Sequence, residues 1–192
     1  VPSRGLGDVY KRQLMGRIAN NTGIVYYNAR KYEQALEHFR HSVSLRQGLG
    51  YRIGVVVNYH NIGDTYLRMG DMGRAWAAFQ RSRDLAREVG WDNGVAMNQM
   101  FITFIECHPR SDEPPGDDPV GRMTQAAARL DRQTDVELAV SAKWLLGRLL
   151  SARGQPDEAH RVLEAALARA EEIGVKPLIR DIQESLSELS EG

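Results

Sequence analysis

Apolar positions recur every three or four residues along nearly the whole chain, a period close to 3.6 that predicts amphipathic helices rather than strands. The first stripe starts at Leu14 and passes through Ile18, Thr22, Val25 and Tyr26 to about Asn28. After a break at Arg30-Lys31, a second runs through Tyr32, Ala35, Leu36, Phe39, Val43 and Leu45 to Gln47. Further helices are predicted over residues 53–69, 72–89, 95–107, 119–131, 135–152 and 157–173. A last amphipathic segment begins at Pro177, with Leu178, Ile182, Leu186 and Leu189 on its inner face. The breaks at Arg30-Lys31 and Gly70-Asp71 are short, so the helices they join must lie antiparallel and in contact.

The pattern repeats. Asn21, Gly23, Tyr26, Ala35, Phe39, Ser42, Leu45, Gly50 and Gly54 recur forty residues on as Asn61, Gly63, Tyr66, Ala75, Phe79, Ser82, Leu85, Gly90 and Gly94. A fixed period of this size marks stacked helix pairs. Glycine inside a helix costs about 1 kcal/mol relative to alanine. Its presence at Gly23, Gly63 and Gly147 therefore predicts a side chain packed directly on the backbone, with Ala35, Ala75 and Ala159 as the small surface opposite. The third repeat is degenerate: Thr103 stands where the glycine belongs, and the stretch His108–Asp118, rich in proline and acidic residues, predicts an exposed turn. The repeats fall at about 14–52, 53–92, 93–134 and 135–174, with a cap at 175–190 in a helical domain spanning 14–192.

Residues 1–13 show no such period and lack the apolar centre of a signal peptide. Asp8-Val9-Tyr10-Lys11-Arg12-Gln13 resembles the translated end of a sequencing adapter, so 1–13 are expected to be a non-native or disordered leader. The chain is accordingly expected to be the C-terminal fragment of a longer protein of metagenomic origin.

Composition narrows the function. Of 192 residues 42% are hydrophobic, and 25 basic residues balance 25 acidic ones. That balance disfavours a nucleic-acid footprint or an anionic-membrane patch, which need clustered surplus Lys and Arg. A single Cys107 rules out an internal disulfide and fits a reducing, cytoplasmic setting. No run of apolar residues is long enough to cross a membrane.

The recurring residues carry a resemblance. Tyr59-x2-Ile62-Gly63-x2-Tyr66, followed by Ala75-x3-Phe79, is similar to the tetratricopeptide repeat pattern W-x2-L-G-x2-Y…A-x3-F. Ala19-x2-Thr22-Gly23-x2-Tyr26 and Lys143-x2-Leu146-Gly147-x2-Leu150 match it with substitutions. The forty-residue period resembles the family's longer-helix variant, found in bacterial regulators behind kinase, ATPase or cyclase domains. The resemblance implies an all-α, right-handed superhelical solenoid of four antiparallel helix pairs plus a C-terminal capping helix. It further implies a groove, lined by the first helix of each pair, for a protein or extended peptide.

In that variant, asparagines in the groove clamp a peptide backbone, and Asn21 and Asn61 match their positions; Phe101 and Leu145 replace them in repeats three and four. The implied groove is polar at one end, with Arg17, Asn20, Tyr27, Asn28, His60, Asp64 and Arg68 beside the two asparagines. It is apolar at the other, with Met97, Met100, Phe101, Phe104 and Trp144. An amide both donates and accepts, and a guanidinium suits carboxylates. The residues themselves also allow blander roles: water-bonded surface for Asn21 and Asn61, and interhelical core for Met97, Met100, Phe101 and Phe104.

Other candidate chemistry is thin. His38 and His41 lie three apart, as two metal ligands can, but no Cys or carboxylate completes a site and both are placed on an outer face. Cys107-His108 are adjacent, a poor geometry for a nucleophile and its base. No phosphate loop or hydrolase motif occurs. The expectation is a non-enzymatic scaffold without cofactor or metal, whose partner is a protein, a peptide or upstream domains of its own full-length chain.

Overall fold

The computed structural model describes residues 3–109, 118–131 and 136–191, and these hold nine α-helices in sequence. They are α1 (Ser3–Asn28), α2 (Tyr32–Gln47), α3 (Arg52–Arg68), α4 (Met72–Glu88), α5 (Asp92–Cys107), α6 (Pro119–Asp131), α7 (Val136–Ala152), α8 (Pro156–Ile173) and α9 (Lys176–Glu191). Most of the expected turn 108–118 lies outside the described residues. The chain divides into an N-terminal half, Val1–Gln99, and a C-terminal half, Met100–Gly192, with the division inside α5.

In the N-terminal half, α1 packs on α2, α2 on α3 and α3 on α4. The joint between α3 and α4 shows why. Gly70 ends α3 with φ +80°, a left-handed conformation that costs an L side chain about 1–2 kcal/mol but suits glycine. Asp71 then caps α4, its Oδ1 accepting the Arg74 backbone N–H at 2.9 Å. Arg30 takes the same turn at φ 58° without being a glycine.

Both helix pairs of this half close over a glycine. A Cβ on Gly23 would stand 2.6 Å from the Phe39 ring, and one on Gly63 would stand 2.8 Å from Phe79. No real contact is that short, so the rings lie flat on the backbone as expected from the mid-helix glycines. Phe39, Phe79, Ala35 and Ala75 are all fully buried or nearly so. Burying one such ring contributes about 2–3 kcal/mol. Serines tie the pairs further: Ser42 Oγ donates to Gly16 O at 2.7 Å, and Ser82 Oγ repeats the bond to Val56 O at 2.8 Å, forty residues on.

In the C-terminal half α7 packs on α6, α8 and α9, and α8 on α9. Leu163 lies on Gly147 as phenylalanine does in the first two repeats, with the absent Cβ 2.6 Å from Leu163 Cγ. Pro119 and Pro156 open their helices, where proline's missing N–H has no intrahelical acceptor to lose. The capping helix α9 buries Leu178, Ile182 and Ser185; Leu186 and Leu189 are half-buried.

One boundary departs from the sequence pattern. Helix α1 begins at Ser3 rather than near Leu14, so the described part of the leader is helical, with side chains from Gly7 to Met15 exposed. Extending an existing helix adds one hydrogen bond per ordered residue and needs no new nucleus, so it proceeds without an apolar stripe.

Candidate functional site

The polar residues expected in the groove come together on α1 and α3. Asn20 is buried, and its Oδ1 accepts from Asn58 Nδ2 at 3.0 Å and from Asn61 Nδ2 at 3.2 Å. Its own Nδ2 donates to Asn21 Oδ1 at 3.3 Å. Two turns along, the Tyr27 hydroxyl donates to Asp64 Oδ2 at 2.5 Å and accepts from Arg68 Nε at 3.0 Å. The first helices of two consecutive pairs are thus joined by side chains alone. Arg17, Asn21 and Asn28 remain exposed along the edge of this row, while Asn61, Asp64 and Arg68 are half-buried.

His60 extends the network toward α5. Its Nδ1 stands 3.2 Å from Asn98 Oδ1, and its ring lies 5.4 Å from that of Phe79. Burial pushes its pKa below the ordinary histidine value, against a smaller upward pull from Asp64 and Asn98. The neutral ring is therefore the favoured form. His60 and Asn20 stand forty residues apart and do the same thing, each contacting the buried asparagine of the next repeat.

Beneath the row lies a buried charge. Arg46 Nη1 donates to Gly54 O at 2.8 Å and to Asn58 Oδ1 at 2.9 Å, and Ser42 Oγ lies 3.0 Å from the same Oδ1. Burial lowers the Arg46 pKa, and the charge of Arg17 adds to the effect. Asn58 and Asn98 hold this arrangement and were missed in the sequence. The available signal was their separation of forty residues, hidden because the first repeat has Ile18 in that place.

The apolar end of the expected groove is corrected. Phe101, Phe104 and Trp144 are only 6%, 1% and 4% exposed, and Met100 is as deeply buried, so these side chains are core. An apolar helix face without polar neighbours is covered by protein in preference to water. Trp144 donates from Nε1 to Ser185 Oγ at 3.0 Å, and the Arg148 guanidinium lies over both the Phe104 and Trp144 rings. Met97 alone of that group is half-buried. A cleft of about 330 Å³ between α6, α7 and α8, lined by Ala127, Leu146 and Val162 with Lys143 and Arg161, gathers none of the predicted residues.

The minor candidates resolve simply. His38 does not face outward with His41: its ring stacks on Tyr26 at 5.2 Å. Among the described residues, no three or more His, Cys, Asp or Glu side chains form a group that could hold a metal ion. Cys107 is buried, and desolvation raises its thiol pKa, the opposite of an activated nucleophile. His108 lies against Phe104. No described helix is long and apolar enough to cross a membrane.

The comparisons with known proteins bear on the repeats. Two family models, each described as the tetratricopeptide repeat, match residues 14–88 and 145–173. No curated protein matches the chain.

Proposed function

Because the chain belongs to the tetratricopeptide repeat family, a family of protein-interaction scaffolds, we propose that its α1–α3 face holds an extended peptide. The observation that carries this reading is the exposed edge Arg17, Asn21 and Asn28, set on a polar row already locked by Asn20, Tyr27, Asn61, Asp64 and Arg68. Locked side chains lose little entropy when a peptide settles on them. Asn21 and Asn61 pair with backbone amides of the peptide. Arg17 and Arg68 favour acidic side chains or a terminal carboxylate.

This scaffold is non-catalytic and cytoplasmic, and forms the C-terminal segment of a larger signalling regulator of kinase, ATPase or cyclase type. The peptide comes from a partner protein or from the regulator's own upstream domains. The test is selection of peptides from a random display library on the wild-type chain. Asn21→Ala combined with Asn61→Ala should weaken the selected peptides at least about tenfold, some 1.4 kcal/mol. His41→Ala, on the exposed side of α2, should leave binding unchanged. The reverse result places the site on the second helices and refutes the reading.

A further inference from the structure

Helix α1 exposes an apolar stripe that its repeat counterpart buries. Leu14, Met15, Ile18 and Val25 are 43%, 42%, 55% and 66% exposed. Forty residues on stand Gly54, Val55, Asn58 and Thr65, all buried. The counterparts are covered by the preceding pair: α2 packs on α3, and Ser42 and Arg46 reach Asn58 from it. We infer that the Leu14–Ile18–Val25 face of α1 is a docking surface for the second helix of another helix pair, one carrying alanine where α2 carries Arg46.

The chemistry of that helix follows from what fits over Leu14. On α3 the matching position is Gly54, closed over by the Tyr51 ring and the Arg46 stem; an added Cβ would meet them at 2.5 and 2.8 Å. Leucine at this place needs both obstacles gone. The first is gone already, because Lys11 stands where Tyr51 does and its flexible stem can turn aside. The second is removed if the docking helix has a small residue in the place of Arg46. The chain itself uses that solution once: Ala86, forty residues after Arg46, is fully buried on α4. Ile18 and Val25 likewise replace Asn58 and Thr65, so the partner face must leave no buried donor seeking an acceptor. A pair like α3–α4 meets both conditions, since Ser82, in the place of Ser42, already donates to Val56 O within the pair. The docking surface lies beside the peptide row and does not depend on the groove reading.

The test is a fusion that places a second copy of residues 53–90 directly before Lys11, so that Ala86 of the copy faces Leu14 in register. Nearest-neighbour interfaces carry much of the stability of stacked repeats. The fusion should gain helicity, raise the melting temperature by about 5 °C or more, and slow amide exchange in α1 about tenfold. Ile18→Asp with Val25→Asp in the fusion should remove these gains. A fusion whose added residues are helical but whose melting temperature is that of the parent overturns the inference, as does an addition that gains no helicity. Sedimentation of the parent chain as a dimer, returned to monomer by the same two aspartates, overturns it too, since a second copy would then be the occupant.

Discussion

Gly63→Ala adds one methyl group and should destabilise the protein, although the same change favours a helix elsewhere. The new Cβ would stand 2.8 Å from Phe79 Cδ1 and Cε1 and 3.0 Å from Cγ. The ring must retreat by roughly half an ångström or more to reach ordinary contact, in an interior packed as densely as an organic crystal. Retreat is blocked, since Phe79 is fully buried and the His60 ring lies 5.4 Å from it. Overpacking of this kind costs about 1–3 kcal/mol, and the gain in helix propensity returns about 1 kcal/mol. The expected net loss is up to about 2 kcal/mol, read from urea denaturation followed by circular dichroism. Gly73→Ala is the internal control, a helical glycine with only Asp71 Oδ1 within reach at 4.0 Å; it should stabilise by about 0.5–1 kcal/mol. Phe79→Ala should itself cost about 3–5 kcal/mol. With the ring gone, however, Gly63→Ala should turn from harmful to favourable. Additive effects in that double-mutant cycle would show that the ring does not rest on Gly63.

The His60 ring should make stability depend on pH. Its folded pKa is depressed by burial, so the protein is stabilised above the unfolded value of about 6.5 and loses stability as pH falls below it; His60→Asn, the residue at the equivalent Asn20, should flatten the melting temperature between pH 7 and 5. Gly70→Ala should cost about 1–2 kcal/mol because of its φ of +80°, measured by thermal melting, and Arg30→Gly should be neutral or slightly stabilising. Trp144→Phe removes the donor to Ser185 and should cost about 1 kcal/mol, seen as a lower urea midpoint.

The helix pairs were legible because their signals are steric. A glycine in mid-helix, an aromatic sixteen residues later and a turn glycine each answer a local demand, so Gly23, Phe39, Gly63, Phe79 and Gly147 could be placed from their spacing. The polar network was only half legible. A buried Asn58 or Asn98 has the same letter as an exposed Asn28, and hydropathy cannot distinguish an amide bonded to protein from one bonded to water. Arg46 misleads in the same way, reading as a solvated cation while donating to Gly54 O and Asn58 inside the protein. Phe101, Phe104 and Trp144 show the converse limit: an aromatic on a first helix reads alike as groove lining or interior. The start of α1 was not legible because helix extension leaves no mark in the hydropathy pattern.

The bonds between successive first helices also determine how the N-terminal half can yield mechanically. Asn20 to Asn58 and His60 to Asn98 act as cross-pins near the middle of neighbouring rods. Sliding one rod by a single residue shifts it about 1.5 Å, enough to break a bond of 3.0 or 3.2 Å. Pivoting about a lone pin would leave its bond intact, but α1 and α3 carry a second pin two turns along, where Tyr27 meets Asp64 and Arg68. This pair of rods therefore resists splay as well as shear. A partner lying across α1 and α3 would meet a surface of fixed register, like two plates held by a pair of rivets.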